Sequence, residues 1–193
     1  HDPSKRGVTP NNKTKKEKNM SGKKTLILTE KREAGADLAS TLGDKILGSD
    51  AEKLNTVAKS KGYLEGESYI LAWAAGHLYA QVSPKEIDES YGLFKPFTSK
   101  EDYKMPKLKD QIFDKASTDQ YKQRQIKTLK EILKRDDIKE IIIATDADEE
   151  GEAIGRDMLF KTVKKLPTEN ITRLWNTGSF KSKEAIDKAM SER

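Results

Sequence analysis

Apolar positions along the chain come in short runs that switch between two periods. Lys24-Thr25-Leu26-Ile27-Leu28-Thr29 is compact, apolar and β-branched, and predicts a buried strand over 24–29. From Glu33 the spacing changes: Ala34, Leu38 and Leu42 recur at helical spacing and Gly43 follows, so a helix over about 33–42 is expected to close at that glycine. Residues 62–66 and 67–75 return to strand composition, the second centred on Tyr69-Ile70-Leu71-Ala72-Trp73. Residues 84–112 read as loop, with Pro84, Pro96 and Pro106 interrupting the aromatics Tyr91, Phe94, Phe97 and Tyr103. An amphipathic helix is expected over 117–135, with Tyr121, Ile126, Leu129, Ile132 and Leu133 on one side. Ile141-Ile142-Ile143-Ala144-Thr145 is the strongest buried-strand signal. A helix over 150–164 follows, turning Ile154, Met158, Leu159 and Val163 inward, then a strand over 171–175 and a helix over 181–190. Strands alternating with helices imply an α/β fold with a largely parallel sheet flanked by helices. Both Trp73 and Trp175 fall in apolar runs and are expected in the core.

Composition narrows the chemistry. The chain has no cysteine, which excludes disulfides, Cys-ligated zinc, iron–sulfur clusters and thiol catalysis, and fits a reducing compartment. No apolar run approaches the ~20 residues of a membrane span. The net charge of +5 is unevenly placed: residues 1–24 hold eight basic and two acidic side chains, so the remaining 169 residues carry a net −1. The leader 1–23 is polar and lacks periodicity; it reads as a disordered basic leader or tag, with Met20 as a plausible natural start and DNA as the partner such an arm suits. Residues 24–193 read as one folded domain. Nucleic-acid binding by that domain requires a local site, because its overall charge supplies no attraction.

The candidate site is Asp146-Ala147-Asp148-Glu149-Glu150-Gly151-Glu152, directly after the Ile141–Thr145 strand. In open α/β sheets ligands gather at the carboxyl ends of strands. Asp146 and Asp148 alternate along an extended segment and are expected to point the same way. Glu150 falls near a helix start, where negative charge is favoured, and Gly151 permits a tight strand-to-helix passage. Crowded carboxylates suit an oxygen-seeking cation, and Mg²⁺ on one or two carboxylates suits phosphate chemistry. Glu30, with Lys31 beside it, ends the first strand. If the two strands are neighbours, Glu30 faces the aspartates and gains a raised pKa, as a general acid or base requires. A solvated acidic loop is the plainer reading. A calcium loop is disfavoured because a strand, not a helix, precedes it. An aspartyl-phosphatase motif is disfavoured by Glu150 and by its late position.

In order along the chain stand Thr29-Glu30-Lys31, Trp73-Ala74-Ala75-Gly76-His77-Leu78, Asp146-x-Asp148-x-Glu150-Gly151-Glu152-x-Ile154 and Arg173-Leu174-Trp175. Together they resemble the Toprim domain of type IA DNA topoisomerases, nearest the topoisomerase III branch, over Lys24 to the end. Arg32 stands where that family carries proline, and Glu149 where it carries arginine. The resemblance implies a Rossmann-like Toprim fold, with Mg²⁺ held by Glu30, Asp146, Asp148 and Glu150. It implies Glu30 as the acid–base group at the scissile phosphate, and Lys31 as its charge stabiliser. His77, Arg156 and Arg173 are candidate DNA contacts. The implied activity is ATP-independent cleavage of a single-stranded DNA segment, strand passage and religation in the cytoplasm, at the nucleoid. The family's nucleophilic tyrosine lies in a later domain, whereas all six tyrosines here precede the acidic motif. The chain is therefore expected to be an amino-terminal fragment that works with the remaining topoisomerase domains and is inactive in cleavage alone. The alternatives are a stand-alone Toprim nuclease or primase-like protein, and a non-catalytic binding module.

Overall fold

A computed structural model of the chain describes residues 23–83, 86 and 114–193. The leader 1–22 and nearly all of the expected aromatic loop 84–112 lie outside the described residues. Strand β1 (Lys24–Thr29) leads into helix α1 (Arg32–Leu42), which stops at Gly43 with φ +67°. Helix α2 (Ala51–Lys61) follows, then strands β2 (Tyr63–Glu65), β3 (Tyr69–Trp73), β4 (Tyr79–Gln81) and β5 (Asp114–Ala116). The remainder is helix α3 (Gln120–Ile132), strand β6 (Ile138–Ile143), helix α4 (Glu149–Phe160), strand β7 (Ile171–Arg173) and helix α5 (Lys183–Ser191).

Five strands form one sheet in the order β2-β3-β1-β6-β7. The pairs β1–β3, β1–β6 and β6–β7 are parallel, and β2–β3 is antiparallel. Strand β1 is central, so both its faces are covered and Leu26, Ile27 and Leu28 are fully buried. Alternation divides the core in two. Leu26, Leu28, Ile141 and Ile143 pack with α3 and α4, whereas Ile27, Ile142 and Ala144 pack with α1, α2 and α5. Strands β4 and β5 form a separate small antiparallel pair.

Two expectations change, and one helix was not foreseen. Helix α2 was not legible in its apolar pattern, because only Leu54 and Ala58 of its eleven residues are buried. Tyr121 is 36% exposed rather than inward; its hydroxyl accepts from Trp73 Nε1 at 3.0 Å, and Gln125 takes the buried place, donating to Gly62 and Trp73 carbonyls. Trp175 is not in the core: it lies past the end of β7 and is 57% exposed.

Candidate functional site

Parallel pairing sets the site. Thr25 to Leu28 of β1 run in register with Glu140 to Ile143 of β6, so both strands leave the sheet at the same edge. There Glu30 and Asp146 are brought together around one ammonium group: Lys31 Nζ lies 3.5 Å from Glu30 Oε1 and 3.5 Å from Asp146 Oδ2. The Glu30 side chain is only 12% exposed. Burial raises its pKa, and the charges of Asp146 and, more weakly, Glu150 push it further up against the pull of Lys31. Lys31 is raised in turn, first by Glu30 and then by Asp146.

Asp148 behaves differently from the expectation that it parallels Asp146. A turn intervenes, with Asp148 N–H donating to the Asp146 carbonyl, and the Asp148 side chain swings onto the start of α4, where Oδ1 accepts from Gly151 N at 2.6 Å. An aspartate at this position caps otherwise unpaired helix N–H groups. Its second carboxylate oxygen is not engaged by this cap. Glu150 is exposed on the first turn of α4, with Oε1 3.7 Å from His77 Nδ1. Gly151 makes the turn possible, since a Cβ there would lie 2.1 Å from the Asp146 carbonyl oxygen. Gly155, one turn on, likewise lets α4 approach Ile143.

Arg173 braces this loop from beneath. Its NH1 donates to the carbonyls of Ile143 and Thr145 and to Thr145 Oγ1, and its NH2 donates to the Asp146 carbonyl at 2.6 Å. Nε lies 3.3 Å from Glu152 Oε2 but out of line for a hydrogen bond. Burial lowers the pKa of the guanidinium, opposed by the charges of Glu152, Asp148 and Asp146. Arg156 is exposed and paired with Glu152. Thr145 and Glu152 therefore belong to the site's frame; Glu152 stood in the acidic motif without a role of its own, and Thr145 was legible only as the end of a strand. Thr145 is buried, and its Oγ1 also donates to the Gly151 carbonyl at 2.6 Å.

The third motif segment is tied in through its backbone. Ala75 N–H donates to the Glu30 carbonyl at 2.9 Å, and Ala75 and Gly76 both have positive φ, of 65° and 74°. A left-handed alanine is strained by roughly 1–2 kcal/mol. The bond fixes the path that carries exposed His77 to the same edge.

Among the described residues, no three carboxylate or histidine groups converge into a ready-made ion cage. The carboxylate donors are hard oxygens, and Glu30 and Asp146 both pair with the Lys31 ammonium. Such a site fits Mg²⁺, which retains several waters and needs only one or two carboxylates. It does not fit an ion that demands an all-protein shell.

The Toprim domain family matches residues 25–176 of the chain. DNA topoisomerase 3 of Staphylococcus epidermidis is 37% identical over 153 residues, 79% of this chain and 18% of the relative. DNA topoisomerase 3 of Staphylococcus haemolyticus is 34% identical over 156 residues, and that of Shouchella clausii 33% over 153, with the same coverage. The chain thus spans 18% of the length of these relatives.

Proposed function

Because the chain belongs to the Toprim domain family, we propose that it supplies the acid–base and metal-binding part of a type IA DNA topoisomerase. The observation that carries this is Glu30 and Asp146 meeting at one sheet edge around Lys31. Glu30, Asp146, Asp148 and Glu150 would hold Mg²⁺, which when bound supplies charge neutralisation at phosphate oxygens. Asp148 would contribute through the carboxylate oxygen its cap leaves over.

The chain's own groups then have distinct tasks. Lys31, its side chain 60% exposed, leaves its carboxylate partners to meet a phosphate oxygen. Glu30, when its carboxyl is off the ion and held protonated more readily than an ordinary carboxylate, donates its proton to the departing 3′-oxygen as a tyrosine contributed from elsewhere loses its own proton to solvent and attacks the phosphorus. The phosphotyrosyl ester keeps the energy of the phosphodiester bond, so resealing needs no ATP. In resealing, Glu30 takes the proton back from the 3′-hydroxyl. His77 and Arg156, both exposed, are the proposed contacts to a single-stranded DNA segment. Arg173 contributes by holding the Asp146 loop rather than by touching phosphate. DNA as substrate would place the protein at the nucleoid, in the cytoplasm. None of the described helices is long and apolar enough to cross a membrane.

Calorimetric titration with Mg²⁺ of the wild-type chain and an Asp146→Asn/Asp148→Asn double variant tests the reading. The wild type is expected to bind one ion, and the double variant at least tenfold more weakly; equal binding contradicts it. Metal-dependent nicking of plasmid DNA by this chain alone would favour a stand-alone nuclease instead.

A further inference from the structure

Trp175 is 57% exposed, and the chemistry above gives it no task. Its ring nonetheless has a partner. The Arg173 guanidinium carbon lies 5.5 Å from the ring centroid, and that guanidinium is anchored on Thr145 and on the Asp146 carbonyl. One face of the indole is thereby backed by a cation tied to the acidic loop. The residues that follow, Asn176 to Phe180, wall a cleft of about 540 Å³ that Lys31 and Asp146 also line. That volume is typical of small-ligand sites. The loop neighbours Asn176, Thr177 and Ser179 are polar, which disfavours an apolar protein surface as the occupant. A lysine for phosphate in the cleft and an aromatic plane directly before the cleft wall in the chain are the pair of features with which proteins bind single-stranded nucleic acid without reading its sequence.

We propose that Trp175, backed by Arg173, is a stacking platform for a nucleobase of a single strand whose backbone passes Lys31. The proposal rests on DNA being the substrate of the site. It makes Trp175 a positioning residue, which holds the strand in register with Glu30 without reading its sequence.

Oligodeoxythymidylate titrated into the chain provides the test, read by tryptophan emission and by anisotropy of a fluorescein-labelled copy. Trp73 is fully buried, so quenching on binding reports Trp175. Quenching is expected to follow anisotropy. Trp175→Ala is expected to abolish the quench and weaken binding on the order of tenfold, with Trp175→Phe restoring most of the affinity. An abasic phosphodiester strand of the same length is expected to bind wild type and Trp175→Ala alike. Equal affinity of wild type and Trp175→Ala for the base-bearing strand overturns the proposal and leaves the DNA reading standing. Equal losses for the abasic and base-bearing strands also overturn it, because they mark a backbone or structural role. Failure of the wild type to bind either strand overturns both readings.

Discussion

Glu30 meets opposing demands. Its carboxylate is largely shielded, and burial together with Asp146 disfavours its charge more than Lys31 supports it. A carboxylate whose folded pKa is raised binds protons more tightly in the native state than in the unfolded chain. Its charge therefore costs stability at neutral pH, and that cost disappears as pH falls below the unfolded value near 4.5. In metal-free buffer at pH 7, Glu30→Gln is expected to stabilise the fold, and by progressively less as the pH falls to 4. Added Mg²⁺ is expected to reverse the order by stabilising the wild type more. Thermal unfolding at the two pH values, with and without Mg²⁺, checks this; a Glu30→Gln variant less stable than wild type at pH 7 without metal would contradict it. The chemistry proposed for Glu30 accounts for a residue that costs stability.

The turn from β6 into α4 is the element on which the site depends, and Gly151 is its tightest point. A methyl group there meets backbone at 2.1 Å rather than a side chain that could swing away. Gly151→Ala is expected to cost about 2–3 kcal/mol and to lower Mg²⁺ affinity by displacing Asp146. Gly178→Ala, whose methyl would meet neighbours only at 3.5 and 3.6 Å, is the control expected to be nearly neutral in chemical denaturation. Much of this element could be read in advance. The Ile141–Ile143 run, the acids after it and the glycine within them gave a strand, a turn and a helix start in the right places. What the pattern concealed was the bend between Asp146 and Asp148, which a period-two reading treats as straight. It hid Trp175 as well: apolar composition signals burial, but this side chain lies beyond the last strand pairing, where neighbours cover one face only. Helix α2 was missed because its surface is mostly solvated. Its readable signals were the ends instead, Asp50, whose side chain accepts from Lys53 N, and Gly62 at φ +86°. Strands β4 and β5, three residues each and without apolar alternation, pair among the described residues with one another alone and left no signal of their own.

The sheet joins distant parts of the chain into one edge. Glu30 and Asp146 are 116 positions apart, and only the parallel alignment of β1 with β6 makes them neighbours. Sequence order alone left that pairing open; the central position of β1, covered on both faces, settles it. The Arg173 brace and the Ala75 hydrogen bond then draw β7 and β3 to the same edge, so the four motif segments meet although two of them hold none of the acids proposed to bind metal. The same geometry explains how a folded body with a net charge of −1 is proposed to meet DNA: attraction comes from Lys31 and the Trp175 platform, not from the overall field. Paramagnetic Mn²⁺ in place of Mg²⁺, read in a two-dimensional ¹⁵N–¹H spectrum, tests the shared site most directly. The backbone signals of Glu30, Lys31, Asp146 and Glu150 should broaden first and together at substoichiometric metal, and Asp146→Asn should weaken the effect at Glu30. Broadening confined to 146–152, with Glu30 and Lys31 unchanged, would contradict a cation held between the two strands.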